Sequence, residues 1–426
     1  MNTIFERLES EVRSYCRRFP RVFARAQGCY LFDEAGQRYT DFFCAAGALN
    51  YGHNEPELKQ ALLDYQDGDG VVSALDCHTG AKRDFIDLFE KLILEPRGLH
   101  YKLQFTGPTG TSVVESAVKL ARKATDRANV VAFTNGFHGM SGVSLSLTGN
   151  RYHRQRTMAG NVTRLPYDQY LGPQVDTLAY FRKLLEDESS GLDLPAAVIV
   201  ETVQAEGGIR VASVPWLQKL RALTAEFGIL LIVDEIQAGC GRAGRFFSFE
   251  RAGIRPDVVC LSKSLSGFGI PFSLLLLDPR IDAWNPGEDS GTFRGNNLAF
   301  VTASAALKKY WRDGSMERRI AQLEETLAEH LRGFAIAHRR RVRDVRGAGL
   351  LQGMEFFSPQ DAALVASDCF ERGLIVETCG PRDEVLKIMP PLNITQPELE
   401  HGLAILEDAL HATGALLEDA PQAVAG

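Results

Sequence analysis

The chain has 426 residues, 45% of them apolar and 24% charged, with a formal net charge of −7 and a pI near 5.8. That length exceeds a single simple core and asks for more than one lobe, and the composition is that of an ordinary globular enzyme. The acidic balance argues against nucleic acid or an anionic membrane surface as the main partner. No apolar run is long enough to span a bilayer, and the amphipathic start lacks the apolar centre of a secretory signal. The 8 cysteines are scattered, with no CxxC and no metal-ligand spacing. The expectation is a cytoplasmic protein with reduced thiols and no metal.

From the N-terminus, Cys29 to Phe32 and Gln37 to Phe42 alternate around Asp33-Glu34-Ala35-Gly36, a small β element. From about position 70 to 310, helical and strand patterns alternate, which predicts α/β architecture. Phe105-Thr106-Gly107-Pro108-Thr109-Gly110-Thr111-Ser112 lies between a short strand and a helix striped by Val113, Val114, Ala117, Val118 and Ala121. Ser112 and Glu115 have the spacing of a capping box. A glycine-bearing turn that opens a helix presents free N–H groups and the positive end of the helix dipole, so Gly110 and Thr111 are candidate phosphate ligands. Read alone, the segment is equally a plain tight turn, being neither a Walker loop nor a GxGxxG.

The apolar run Val130 to Phe133 leads into Asn135-Gly136-Phe137-His138-Gly139. An aromatic ring at a strand end can stack on a flat ligand, with His138 close by, although a Phe-His pair is also common packing. Val198 to Val200 ends in Glu201-Thr202-Val203-Gln204-Ala205-Glu206-Gly207-Gly208. Its two acids either line a cleft or divide into one buried, paired acid and one solvated loop residue.

A helix follows Ser213, with Pro215 in its first turn, Trp216, Leu217, Leu220, Leu223 and Phe227 on one face, and Gly228 as its stop. The next strand, Ile229 to Val233, ends in Asp234-Glu235-Ile236-Gln237; another, Val258 to Leu261, ends in Ser262-Lys263-Ser264. Ligands of open α/β sheets collect at the carboxyl ends of strands, so Asp234 and Lys263 should reach one crevice. A buried lysine opposite a buried carboxylate is what pyridoxal 5'-phosphate requires: the amine bonds to the aldehyde and the acid keeps the pyridine nitrogen protonated. The competing reading is an ordinary buried ion pair.

Gly291-Thr292-Phe293-Arg294-Gly295-Asn296-Asn297 reads as a loop before a helix from Leu298, with Thr292 a possible second phosphate ligand. Beyond 310 the pattern becomes α+β. Ile320, Leu323, Leu327, Leu331 and Phe334 stripe a long helix, and short strands are expected at Leu350 to Phe356, Leu374 to Glu377 and Val385 to Met389. A last helix opens at Thr395 with Glu398 as its capping-box partner. Segments 1–60 and 311–426 are expected to make one small α+β lobe beside a large α/β domain at 61–310.

These motifs, in this order and spacing, resemble the class III (ω-) aminotransferases, a group of fold-type I pyridoxal phosphate enzymes. The likeness runs nearly end to end, from Leu49-Asn50-Tyr51-Gly52-His53 to Arg346-Gly347-Ala348-Gly349-Leu350. It implies a mostly parallel seven-stranded sheet with helices on both faces. It also implies roles. Lys263 would anchor the cofactor and carry the substrate proton, Asp234 would meet the pyridine nitrogen, Gln237 the phenolic oxygen, and Phe137 the ring face, with His138 and Glu201 alongside. Gly110 and Thr111 would hold the phosphate, joined by Thr292 of a neighbouring subunit, which makes a homodimer or a dimer of dimers the working assembly. Glu206 resembles an acid that pairs with an arginine or releases it as an amino acid and a 2-oxo acid alternate, and Ala46, Arg294 and Lys387 would complete the substrate cleft.

One departure stands out: Lys387 occupies a stretch where many relatives carry an arginine for the α-carboxylate of glutamate or 2-oxoglutarate, and lysine lacks arginine's bidentate fork. That substitution, with FTNGFHGM, DEIQAGCGR and GTFRGNNLAF, resembles the diaminobutyrate branch. The branch implies amino transfer from L-glutamate to L-aspartate 4-semialdehyde, feeding ectoine or a siderophore or peptide antibiotic that contains diaminobutanoate. 4-Aminobutyrate, ornithine, lysine or a diamine are the alternative substrates.

Overall fold

The computed structural model describes residues 3–154 and 160–418. Its centre is a seven-stranded sheet in the order Lys102–Phe105, Leu274–Leu277, Val258–Leu261, Leu230–Asp234, Ala197–Val200, Val130–Phe133, Val162–Leu165. Leu274–Leu277 runs antiparallel to both neighbours, and the pairings among the other strands are parallel. Successive residues of a strand point to opposite faces. Accordingly Val131, Phe133, Val198, Val200, Leu231, Val233, Val259 and Leu261 enter one apolar cluster, and Val130, Ala132, Ala197, Ile199, Ile232, Val258 and Cys260 enter another. Both faces are covered, which is why these strands read as unbroken apolar runs.

Helix Gly110–Thr125 buries Val113, Val114, Ala117, Val118 and Ala121 against one face. Its cap differs from the sequence expectation. Thr109 is the N-cap, its hydroxyl accepting from the Ser112 N–H, and Glu115 instead accepts from Ser144 N–H at 2.8 Å. Helix Val214–Glu226 packs Leu217, Leu220 and Leu223 inward, its N-cap Ser213 accepting from Trp216 N–H.

The terminal segments interleave. Phe23–Gln27, Tyr30–Asp33 and Arg38–Asp41 form an antiparallel sheet, and Leu374–Ile375 joins its edge in parallel, pairing with Thr40 and Asp41. A second sheet runs Val342–Ala348, Leu351–Phe356, Val385–Ile388, Glu377–Cys379. The strand expected at Leu374 to Glu377 is therefore divided at Val376, one part serving each sheet. The strand Phe23–Gln27 has no clear signature in the sequence because charged Arg25 and polar Gln27 interrupt its apolar pattern. Helix Ser315–Ala337 buries the five expected apolar residues, and Thr395 with Glu398 caps the helix Gln396–Glu418 through reciprocal hydrogen bonds.

Arg242 ties the layers together. Its guanidinium is wholly buried and donates to Asn50 Oδ1 at 2.8 and 3.1 Å, to Leu350 O at 3.0 Å and to Pro390 O at 2.6 Å. Among the described residues no helix is long and apolar enough to cross a membrane.

Candidate active site

A cavity of about 250 Å³ opens at the carboxyl ends of the central strands. Thr109, Gly110 and Thr111 line it from the helix start, Phe137 and His138 follow one strand, Glu201 and Glu206 another, Asp234 and Gln237 a third, and Lys263 the fourth. The sheet thus gathers groups spread over more than half the central chain, for the reason expected of open α/β sheets.

Asp234 is buried and its Oδ2 lies 2.8 Å from His138 Nδ1. Lys263 Nζ donates instead to the Ala46 carbonyl at 2.9 Å, so the simple Asp234–Lys263 ion pair is not the arrangement found. The same carbonyl accepts from Gln237 Nε2 at 2.7 Å. Ala46 is aimed by an unusual backbone: Cys44, Ala45 and Ala46 have φ of 50°, 49° and 57°, and Lys263 itself sits at 48°. Each such left-handed residue costs roughly 1–2 kcal/mol, a strain sustained here by the fixed surroundings.

Burial pulls the Lys263 amine below the usual lysine range, Lys387 adding to the effect while Glu206, Glu377 and Asp234 oppose it. Burial, then the charge of Asp234, pushes Glu201 well up; its Oε1 accepts from Phe137 N–H at 3.0 Å and its Oε2 is a buried oxygen without a hydrogen-bond partner. Burial also works against Glu206, but the charges of Lys387 and Lys263 outweigh it and pull that acid down to about 2.

Lys387 does not line the cavity directly. It lies behind Glu206, fully buried, with Nζ 2.5 Å from Glu206 Oε1 and 2.6 Å from Glu377 Oε1. Thr292 is exposed and Arg294 is taken by Asp289, with contacts of 2.7 and 3.1 Å; neither lines the Lys263 cavity of its own chain. Two neighbours escaped sequence reasoning. Tyr15, from the N-terminal segment, is close enough to Glu377, Glu206 and Lys387 to feel their charges. Glu377 faces Lys387 across a strand pair, and the hairpin around Gly380-Pro381 was the available signal.

Pyridoxal 5'-phosphate suits this cavity. Gly110 begins a helix whose first N–H groups face it, and a Cβ there would press on Ile236 at 3.1 Å, so the residue keeps the approach open. Thr111 Oγ1 accepts from Met140 N–H at 3.0 Å, which leaves its proton available to a phosphate oxygen. The buried, unpartnered oxygens Glu201 Oε2 and Gln237 Oε1 await polar groups.

The acid beside Asp234 has a separate role. Glu235 points to the opposite face and accepts from Ser248 N–H, Ser248 Oγ–H and Phe249 N–H. Burial nevertheless pushes its carboxyl from 4.5 up to about 7. A raised folded-state value means that the native state holds this proton more tightly than the unfolded chain. Its contribution to stability is full below about pH 4.5 and is lost as pH rises through about 7. Over that interval the contribution should decline by on the order of 3 kcal/mol. Urea midpoints measured against pH should show this slope in the native protein and a flatter one in Glu235→Gln.

A parallel-dominated sheet with a lysine, an acid and a helix start meeting at its strand ends is the arrangement of a cofactor-dependent enzyme of fold-type I. The class-III aminotransferase family model matches residues 13–410, and the chain belongs to that family, whose cofactor is pyridoxal 5'-phosphate. It is 54% identical over 417 residues, 96% of this chain and 98% of the relative, to a diaminobutyrate–2-oxoglutarate transaminase of Streptomyces anulatus. It is 51% identical to one from Bordetella parapertussis, across 99% of this chain and 97% of that one. Among solved structures, ornithine aminotransferase from Toxoplasma gondii superposes with a TM-score of 0.85 at 25% identity, covering 97% of this chain and 94% of that one.

Proposed function

We propose that this enzyme transfers the amino group of L-glutamate to L-aspartate 4-semialdehyde, yielding L-2,4-diaminobutanoate and 2-oxoglutarate in a reversible ping-pong cycle. The observation that carries the reading is identity above 50%, over nearly the whole chain, to several transaminases of that name. Lys387 paired with Glu206 at the rear of the cavity supports it, since a lysine there is what the resemblance to the diaminobutyrate branch leads one to expect.

When bound, the cofactor supplies the electron sink that lets the proton beside the substrate nitrogen leave. The chain's residues supply the rest. Lys263, with its lowered amine, takes that proton from one carbon and returns it to another. Asp234, fixed by His138, offers a buried negative charge to the pyridine nitrogen, and the helix start at Gly110 and Thr111 holds the phosphate. Glu206 alternates between Lys387 and the incoming substrate. Thr292 of a second subunit completes the phosphate site, so the enzyme works as a homodimer or a dimer of dimers in the cytoplasm. The terminal segments 1–60 and 311–426 act as one small lobe beside the 61–310 domain.

The test is the visible absorbance of the holoenzyme on addition of L-2,4-diaminobutanoate, ornithine or 4-aminobutyrate. Diaminobutanoate should convert the cofactor fastest, by at least about tenfold, which corresponds to ~1.4 kcal/mol of discrimination. Addition of 2-oxoglutarate should restore the starting spectrum. Faster conversion by ornithine or 4-aminobutyrate would assign the enzyme to another ω-amine.

A further inference from the structure

We infer that Glu377 is a specificity-determining residue: it takes up a proton when a substrate carboxylate is added beside Lys387, and so sets how the site distinguishes a dicarboxylate from a diamino acid. The inference rests on the substrate reading above and extends it to a residue outside the cavity wall.

The geometry separates the two acids that share Lys387. Glu377 and Lys387 are directly paired residues of adjacent antiparallel strands, so the sheet fixes their approach at 2.6 Å. Glu206 sits in the turn that joins Val203–Gln204 to Arg210–Val211, half-exposed to the cavity and followed by Gly207 and by Gly208 at φ 100°. The Glu206 side chain, 30% exposed and lining the cavity, has open space into which to turn from the lysine, whereas Glu377, 2% exposed, has none. With one ammonium between two carboxylates, the cluster already has more acid than it can neutralise.

Among the described residues, the groups that face Glu377 are Lys387 on the paired strand, Glu206 on its turn, Lys263 across the cavity, Tyr15 with Arg18 behind it on the N-terminal segment, and Cys379 on its own strand. Burial pushes Tyr15 up to about 12 and raises Cys379, so both stay neutral near pH 8. Glu377 is itself raised, by burial first, with Lys387 opposing and the like charge of Glu206 adding.

2-Oxoglutarate carries a carboxylate directly beside its reacting carbon, which diaminobutanoate lacks beside its terminal amine, and this group is drawn to Lys387 as Glu206 yields. The added negative charge falls beside an acid that cannot move into water, and protonation of Glu377 is its relief. The outer head of diaminobutanoate carries an ammonium and a carboxylate together, sums to zero, and calls for no proton. By linkage, dicarboxylate binding weakens as pH rises, approaching tenfold per pH unit where Glu377 is ionised in the free enzyme, while diaminobutanoate binding lacks this dependence.

The experiment is calorimetric titration of the holoenzyme with glutarate, an unreactive dicarboxylate, in two buffers of different ionisation heat between about pH 7 and 9. Native enzyme should take up a proton on binding, rising toward one per site, and Glu377→Gln should take up almost none. In parallel, the ratio of kcat/KM for 2-oxoglutarate to that for diaminobutanoate should fall with pH in the native enzyme and stay within about twofold in the variant. Glutarate binding without proton uptake by native enzyme overturns the inference even if the variant fails to fold, as does equal uptake by a folded variant. Absence of any reaction with diaminobutanoate would strike the substrate reading alone and leave the glutarate result standing.

Discussion

Lys263→Ala is expected to abolish turnover, with a loss of at least roughly 10⁴-fold, while circular dichroism and solubility stay those of the native chain. The loss combines the covalent anchor with proton transfer, which by itself contributes about 10²–10⁴-fold. Among the described residues no second amine lines the cavity, and Lys387 is enclosed by Glu206 and Glu377 and held well above the usual lysine range despite its burial. The substitution removes one hydrogen bond, to Ala46 O, and leaves the backbone at φ 48°. Lys263→Gly removes that strain as well, so it should be equally inactive yet more stable than the alanine variant by ~1 kcal/mol. Single-turnover absorbance with diaminobutanoate measures the first effect and thermal midpoints the second. Retained turnover in either variant would rule out Lys263 as the proton carrier.

Arg242→Met should be the most damaging single change away from the cavity. It strands the Asn50 side-chain oxygen and the carbonyls of Leu350 and Pro390 in a fully enclosed place. Unsatisfied buried groups cost ~1–3 kcal/mol each, and the apolar stem of methionine regains part of the packing, so a net loss of roughly 3–5 kcal/mol is expected. Arg242→Lys should recover less than half of it, since an ammonium cannot span acceptors that a planar fork reaches from several sides. Urea unfolding provides the measurement. Activity should fall with stability, because Asn50 also donates through its backbone to Ser264, the neighbour of Lys263.

The central sheet was legible because both its faces are buried: Leu230–Asp234 and Val258–Leu261 could be read from hydrophobicity alone, and their polar ends marked the cavity. The identity of the cofactor was legible for the same reason, since Asp234 and Lys263 close neighbouring strands. Contacts that depend on backbone detail were not. Nothing in Cys44-Ala45-Ala46 announces three left-handed residues, because alanine normally avoids that region and only the folded surroundings impose it. The Ala46 carbonyl, read from the sequence only as a cleft residue, proved to be a shared acceptor for Lys263 and Gln237. Glu377 stayed hidden because it lies in a strand of three residues, too short to show alternation, whose register is set by the hairpin it belongs to. Arg294, expected from the resemblance to complete the substrate cleft, pairs instead with Asp289, a contact that the sequence spacing alone does not announce.

The parallel pairing of Leu374–Ile375 with Thr40 and Asp41 also bears on how the protein is made. Synthesis proceeds from the N-terminus, so the strand Arg38–Asp41 leaves the ribosome long before its edge partner exists. Until then the N–H groups of Thr40 and Phe42, later bound to Gly373 O and Ile375 O, face water or whatever chain is nearest. Open strand edges invite pairing with other molecules, and charged residues discourage it. Arg38 and Asp41 bound this strand and guard it during that wait. A ribosome that stalls anywhere in the intervening chain releases a product with its N-terminal sheet unfinished, and such a product is marked for aggregation or proteolysis.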